Sequence, residues 1–321
     1  MTSKNKSLCI CLTPLHVLIA ARIAEHEGIK FDRGVYLANT NNEKNKFYAK
    51  EMDLFCNTVD FILLPNETSF SKLRHLHIYL SRLYFRIKFT KYCRFNTVYL
   101  GNSIHNYLFA LLSAISFFRC VTFDDGILNI KTNSELKRKD KSTSKLFLYL
   151  SGITFSKEKL ISKSNLHYSI YSNPNVFGNV KIIHLLDVDR QAANIVSETK
   201  IVKIFLGSPP EFSSDIWKII GESVKKIQPD GYLPHPREVE KKIFNVKYID
   251  TKYVAEHYVL NLLSESSNVQ CELYGYEGSA LLNLAGQERI KVFSVMSQND
   301  ENLELIHLMK SAGVNFIQDS I

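Results

Sequence analysis

The 321-residue chain has no Cys-x-x-Cys pair, no Gly-x-x-x-x-Gly-Lys loop, no Gly-x-Gly-x-x-Gly and no Gly-x-Ser-x-Gly. Their absence argues against P-loop, classical dinucleotide-binding and hydrolase chemistry. The six cysteines (Cys9, Cys11, Cys56, Cys93, Cys120, Cys271) stand singly, mostly in apolar runs. Neither a zinc site nor a disulfide framework is indicated, and a reduced compartment is the simpler expectation. No run of eighteen apolar residues occurs, so no transmembrane helix is expected. The apolar run Leu8–Leu12 is too short for the core of a signal peptide and reads as a buried strand, so the expected location is the cytoplasm.

What is present is a globular composition, 45% hydrophobic and 22% charged, of a length that suggests two domains. The net charge of +8 and pI of about 9.0 favour anionic partners, whether nucleotide, anionic lipid or nucleic acid. Much of the basic charge falls in two tracts. Ser69–Tyr92 carries Lys72, Arg74, Arg82, Arg86, Lys88 and Lys91 among leucines and aromatics. It reads as a basic helix, either lying on an anionic membrane or presenting a merely solvated face. Lys131–Lys145 has almost no apolar content and reads as a mobile loop.

The first part of the chain alternates β-rich runs with helical periods. Ser7–Leu12, Val35–Ala38, Val59–Leu64, Thr97–Leu100 and Cys120–Phe123 read as strands, and Leu15–Glu27 and Asn102–Phe118 as helices. A polar stretch at Leu186–Lys200 suggests a boundary, giving domains 1–186 and 187–321. The second part repeats the alternation. Strands are expected at Ile201–Leu206, Val246–Ile249, Val269–Tyr274 and Ile290–Val295. Helices are expected at Ile216–Ile227, Tyr253–Leu263, Ser279–Ala285 and Glu301–Met309. The fold class is therefore α/β, two Rossmann-like doubly wound domains facing a cleft, an architecture that glycosyltransferases share with other nucleotide-binding proteins. In such sheets ligands gather beyond the carboxyl ends of the strands.

Four short segments carry candidate chemistry. Pro234-His235-Pro236-Arg237 holds an imidazole on a stiff turn beside a permanent cation, a pairing suited to binding and protonating a phosphate. A plain loop is the alternative. Gly207-Ser208, ending the first strand of the second part, offers amides to an oxyanion, or is an ordinary turn before a helix capped by Ser213 or Ser214. Gly278-Ser279 opens a helix whose first amides suit an anion, or is a simple cap. Asp124-Asp125-Gly126 places adjacent carboxylates at a strand end, where one could act as general base, or forms a tight turn with Gly126 left-handed. Asp187-Val188-Asp189 imitates a metal-binding pair but reads as incidental in a linker.

In order along the chain, Leu12–Leu15, Thr122-Phe-Asp-Asp-Gly126 with Asn129, Leu206-Gly-Ser-Pro209, Pro234-His-Pro-Arg237 and Tyr274 with Gly278-Ser279-Ala280 resemble glycosyltransferase family 52. This is the bacterial lipooligosaccharide α-2,3-sialyltransferase family, and the resemblance runs along most of the chain. It implies the GT-B architecture, with an acceptor-side first domain and a nucleotide-sugar-binding second domain. It also implies inverting, metal-independent transfer of sialic acid from CMP-Neu5Ac to a terminal galactose of a lipooligosaccharide, O-antigen or capsule precursor. No cofactor or nucleic acid is implied. The acceptor would be lipid-linked and the enzyme peripheral on the inner face of the bacterial inner membrane; a homodimer is left open. His235 would bind or protonate the departing phosphate, with Pro236 and Arg237 beside it, and Gly207, Ser208, Gly278 and Ser279 would contact the nucleotide. One departure matters. Where the family pattern places an aspartate proposed as base, this chain has Pro210. Asp125 and, one residue beyond that proline, Glu211 are the replacement candidates, with Asp125 favoured because a proline re-aims the residue after it. The family also holds α-glucosyltransferases, so a different nucleotide sugar is the first alternative, and a non-catalytic α/β protein binding nucleotide or nucleic acid the second.

Overall fold

The computed structural model describes residues 6–65, 74–90, 94–101, 104–130, 149, 152–173, 175–185, 199–238, 240–296 and 302–317. The chain divides into two compact units, Met1–Leu185 and Leu186–Ile321. The basic loop 131–145 and the Asp187–Asp189 pair lie outside the described residues.

Unit 1 runs β1 (Ser7–Cys11), α1 (Pro14–Glu27), β2 (Arg33–Ala38), α2 (Glu43–Glu51), β3 (Val59–Leu63), α3 (Arg74–Lys88) and β4 (Arg94–Gly101). It continues with α4 (Asn106–Ala114), β5 (Ser116–Phe123), α5 (Lys157–Lys163), β6 (Ser164–Ser169) and β7 (Val180–Ile182). The strands form one parallel seven-stranded sheet in the order β3-β2-β1-β4-β5-β6-β7. β1 is buried on both faces, with Leu8, Cys9, Ile10 and Cys11 excluded from solvent, as a strand covered by helices on each side must be. Cys9 sits against Cys11 at 3.9 Å; burial pushes its thiol up, so it acts as an apolar packing group. α1 starts where Thr13 accepts a hydrogen bond from the His16 amide (3.2 Å) and Pro14 takes the first turn, and it stops at left-handed Gly28. The chain fills one side of β1 before crossing to β4 on the other, so the order reverses between β1 and β4, where doubly wound sheets open a crevice.

Unit 2 runs β8 (Lys200–Leu206), α6 (Ser214–Ile227), β9 (Gly231–Leu233), α7 (Ala255–Glu265) and β10 (Val269–Gly275). It ends with α8 (Ser279–Leu284), β11 (Ile290–Ser294), α9 (Leu303–Ser311) and β12 (Asn315–Phe316). Its parallel sheet has the order β12-β11-β10-β8-β9, reversing between β8 and β10. Ser213 caps α6 by accepting from the Ile216 amide, with Asp215 in the first turn and Lys225 and Lys226 in the last, the arrangement the helix dipole favours.

Two expected elements are corrected. The helix expected at Asn102–Phe118 ends at Ala114, and Ser116–Arg119 instead opens β5 against Arg94–Thr97. The strand expected at Val246–Ile249 is not one. The ladder position beside β8 belongs to Gly231–Leu233, and the later segment touches it through a single bridge, Tyr232 to Tyr248. Asn245, left-handed at φ 62°, turns the chain just before that bridge and interrupts the run. Among the described residues, no helix is long and apolar enough to cross a membrane.

α3 is pinned to the sheet by charge as well as packing. Asp60 of β3 accepts from Arg33 (2.7 Å) and pairs with Lys88 of α3 (3.0 Å), and Arg33 lies over the Phe89 ring at 4.7 Å. Burial works against the Asp60 carboxylate, but the two cations outweigh it and hold the carboxyl below its ordinary value. A depressed carboxyl stabilises the fold above its unfolded pKa and loses that contribution as pH falls through the folded value. Asp60→Asn should therefore cost about 1–3 kcal/mol at neutral pH. In urea titrations the deficit relative to wild type should persist down to about pH 4 and shrink only below it, as the folded carboxyl protonates.

Candidate active site

Each unit gathers its predicted groups at the carboxyl edge of its own sheet. In unit 1, β5 ends at Phe123 and the two aspartates after it meet different surroundings. Asp124 is fully buried. One carboxylate oxygen accepts from Asn129 Nδ2 (2.7 Å) and His167 Nε2 (2.9 Å), and the other from Ser169 Oγ (2.8 Å) and the Ile170 amide (2.6 Å). His167 is itself fixed by stacking on Phe177 (centroids 4.2 Å apart) and by Thr122 Oγ1 at 2.8 Å from Nδ1. With four donors on its carboxylate and no solvent, Asp124 is a structural anchor.

Asp125 turns the other way and keeps part of its side chain, 19%, exposed. Its Oδ1 lies 2.9 Å from Nε2 of His16, which is wholly buried in the first turn of α1. The ring N–H is not yet aligned on that oxygen as a hydrogen bond. On the other side of the ring, Nδ1 accepts the Leu12 amide at 3.1 Å. That acceptance assigns the proton of the neutral ring to Nε2, the nitrogen facing Asp125. The imidazole is wedged between the edge of Phe123 (5.7 Å between centroids) and the backbone of Gly101, the last residue of β4. A Cβ at Gly101 would fall inside the ring. Gly126, left-handed at φ 60°, closes the turn that presents Asp125.

In unit 2 the two turns after β8 and β9 abut. The Gly207 amide donates to the Leu233 carbonyl (2.7 Å), and a Cβ on Gly207 would lie 2.5 Å from the His235 backbone nitrogen. Glycine is what lets Gly207-Ser208 and Pro234-His235-Pro236 share this edge. The His235 turn is tied at both ends. Glu238 N donates to the His235 carbonyl (2.8 Å), and Arg237 N donates to His235 Nδ1 (3.2 Å). With Nδ1 engaged as an acceptor, the neutral ring carries its proton on Nε2. Beneath the turn, the Glu238 carboxylate accepts from Tyr232 OH (2.8 Å) and Tyr248 OH (3.2 Å). Burial first, and then the Glu238 charge, pushes the Tyr232 phenol well up, so it remains a donor. Sequence reasoning missed this clamp, although Gly231-Tyr-Leu next to Pro-His-Pro contained one half of it.

Glu211 and Arg237, both predicted site residues, are paired to each other at 2.6 Å on the surface. Exposed pairs of this kind contribute little, about 0–1 kcal/mol. Ser208 is fully buried and its hydroxyl has no hydrogen-bond partner among the described residues, a situation that ordinarily costs about 1–3 kcal/mol. Gly278 and Ser279 come after β10, the strand beside β8, so they stand at the same sheet edge; the Gly278 amide position precedes the six-residue α8 without a side-chain cap. Among the described residues, no group of three or more His, Cys, Asp or Glu could hold a metal ion. The sequence marks Thr13-Pro14-Leu15-His16 as a turn at the end of the first strand, but it gives His16 no role because nothing local links it to Asp125.

The family model for glycosyltransferase family 52 matches residues 30–298. The CMP-N-acetylneuraminate:beta-galactoside alpha-2,3-sialyltransferase of Pasteurella multocida is 32% identical over 325 residues, covering 97% of this chain and 98% of its own length. The N-acetyllactosaminide alpha-2,3-sialyltransferase of Haemophilus influenzae is 29% identical over 302 residues, covering 89% of this chain and 90% of its own. Among solved structures, the glycotransferase of kitacinnamycin superposes with a TM-score of 0.51 at 9% identity, covering 98% of this chain and 87% of that one, a likeness of fold alone.

The abutting turns give a direct test. Gly207→Ala should cost about 1–3 kcal/mol, because the neighbour it meets is backbone that cannot rotate away. Gly221→Ala in α6, where a Cβ meets only Ile243 at 3.9 Å, should be neutral or stabilising. Thermal denaturation of the two variants side by side measures the difference.

Proposed function

Since the chain belongs to glycosyltransferase family 52 and has the GT-B fold, we propose that it transfers sialic acid from CMP-Neu5Ac to a terminal galactose in α-2,3 linkage, with inversion and without a metal ion. The observation that carries the reading is the likeness to the Pasteurella sialyltransferase over nearly the whole of both chains. Such a reaction needs a base for the acceptor and stabilisation of the leaving phosphate. The acceptor hydroxyl oxygen bonds to the anomeric carbon from the face opposite the phosphate, the bond from that carbon to the phosphate oxygen breaks, and the hydroxyl proton passes to a base. CMP departs with the bonding electron pair, which a proton or donor hydrogen bonds stabilise.

On the donor side, His235 Nε2–H is the proton donor and the turns of unit 2 hold the nucleotide. The buried, unpartnered Ser208 hydroxyl and the amides beside it suit a nucleotide oxygen. Arg237 reaches phosphate by exchanging one anion for another, since its surface pair with Glu211 is cheap to break. On the acceptor side, Asp125 is the general base. Glu211 is the weaker candidate because the carboxylate that would take the proton is already spent on Arg237. Charge stabilisation by a cation, amides and an acid substitutes for the metal that other sugar transferases place at a leaving phosphate.

His235→Ala should remove more than nine-tenths of transfer to a β-galactoside, assayed with labelled CMP-Neu5Ac in buffer containing EDTA, since a positioned acid typically contributes about 10²–10⁴-fold. Stabilisation of the wild-type protein by CMP, and not by UDP or GDP, is the companion result. Stabilisation by UDP instead would favour the other-nucleotide-sugar reading that Pro210 raises.

The acceptor is proposed to be lipid-linked and the enzyme to meet it at the inner membrane face. The support is α3. Its buried side is Ile78, Phe85 and Phe89, yet Leu76, Leu80, Tyr84 and Ile87 recur along the opposite side and are exposed, Ile87 by 75%. Leu63, also exposed, continues this patch from the end of β3. Arg86 flanks the stripe, and Ser69–Tyr92 contains no acidic residue. An apolar stripe edged by cations on an acid-free segment matches an anionic bilayer surface. Leu80→Glu with Ile87→Glu should weaken co-sedimentation with phosphatidylglycerol vesicles at least about tenfold, while transfer to a soluble β-galactoside stays at the wild-type rate. Unchanged vesicle binding would remove α3 from this role.

A further inference from the structure

We propose that His16 is the positioning residue for Asp125, holding the carboxylate in the orientation from which it takes the acceptor proton; this rests on the reading of Asp125 as general base. His16 is buried completely, yet its one nitrogen free of the backbone is directed at the only exposed carboxylate of the Asp-Asp-Gly turn. The Leu12 amide occupies Nδ1, so Nε2 already carries the ring proton. His16 therefore cannot take a proton from Asp125, and a relay in which the imidazole is the final base is excluded by its own hydrogen bond. What it does offer Asp125 is an N–H on the nitrogen 2.9 Å from Oδ1, unaligned as the two groups stand. That donor fixes one oxygen and leaves the other for the acceptor hydroxyl.

The surroundings are arranged around the ring. Thr13 caps the turn that holds His16, Phe123 packs edge-on against the imidazole, and Gly101 leaves the space the ring fills. Three adjacent strands thus contribute: β1 through the turn after it, β4 through Gly101 and β5 through Asp125. A histidine that served only to accept the Leu12 amide would gain nothing from turning its other nitrogen to a partly exposed carboxylate. Asp124 makes the contrast, since its partner His167 is joined by three further donors and the pair has no outlet to solvent.

The test compares Asp125→Ala, His16→Ala and His16→Gln, with kcat and KM measured separately for donor and β-galactoside. His16→Ala should lower kcat about 10²-fold, the usual cost of a misplaced reacting group, while the KM for CMP-Neu5Ac and the stabilisation by CMP stay at wild-type values. His16→Gln, which returns an N–H close to the Nε2 position, should recover at least about tenfold of that loss. If Asp125→Ala retains wild-type kcat, the general-base reading falls and this proposal with it. If Asp125→Ala is inactive while His16→Ala keeps wild-type kcat, or if glutamine restores nothing, the role of His16 falls and Asp125 stands. Should the His16 variants fail to fold, imidazole ¹⁵N spectra decide the matter in proteins with His16 intact. The proton should sit on Nε2, and its resonance should move in Asp125→Asn. A proton on Nδ1, or an unmoved resonance, overturns the proposal.

Discussion

Parallel strands cannot be joined by tight hairpins, so each must be re-entered through a crossover that returns the chain to the same starting edge. Every strand pair in both sheets is parallel. Within each unit, therefore, all segments leaving strands emerge at one edge, whatever their distance in sequence. His16 and Asp125 are over a hundred positions apart, yet they come directly after β1 and β5, with only β4 between them. Gly207, His235 and Ser279 come after β8, β9 and β10, three neighbours in the second sheet. The hydrophobic burial that makes the sheets also sorts the polar residues into place.

Sorting brings a loop to an edge but does not aim its side chains, and both units solve that problem with an acid held by several donors, Asp124 buried and Glu238 half-buried. Stripping water from a carboxylate costs several kcal/mol, so it persists only when donors fill its lone pairs. Asp124 collects four such donors from Asn129, His167, Ser169 and Ile170, and the loop beyond it cannot shift without breaking them. Glu238 collects the hydroxyls of Tyr232 and Tyr248 and ties back to the His235 carbonyl through its own amide. In each case the acid that does the holding is close in sequence to the group presented, Asp124 beside Asp125 and Glu238 just beyond His235. Rigidity at the presented residue comes from its neighbour.

The range of each interaction decides how much of this was legible in the sequence. Periodicity is local, and it found β1, α1, β8, α6, β10 and α8 within a residue or two of their observed bounds. It failed where local pattern and pairing disagree. Val246-Lys-Tyr-Ile249 alternates as a strand should, but the three residues Gly231–Leu233, ending against a proline, hold the ladder to β8 instead. Ser116–Arg119 continues the apolar run of α4, but pairs with β4. The short motifs were visible because glycine and proline mark special backbone. Their pairings were not: His16 could be placed in the turn after the first strand, but nothing local ties it to Asp125 or ties Tyr248 to Glu238. Nor could the two aspartates be told apart by sequence, because the difference lies in His16 and His167, which approach from separate elements.

Pro210 changes what the second unit can do for itself. The turn after Gly207-Ser208 carries this proline, and the next acid, Glu211, pairs with Arg237. In the proposed reaction, a phosphate entering there would displace Glu211 from Arg237 at small cost, because both side chains are about 60% exposed and screened by water. Once displaced, Glu211 is repelled by the anion that replaced it, which moves it further from use as a base near the donor. Asp125 carries none of these conflicts. It lies in the other unit, 2.9 Å from Nε2 of His16, and the acid next to it is already saturated. That contrast, Glu211 engaged by Arg237 and Asp125 partly exposed beside His16, is what supports the proposal of Asp125 over Glu211 as the base.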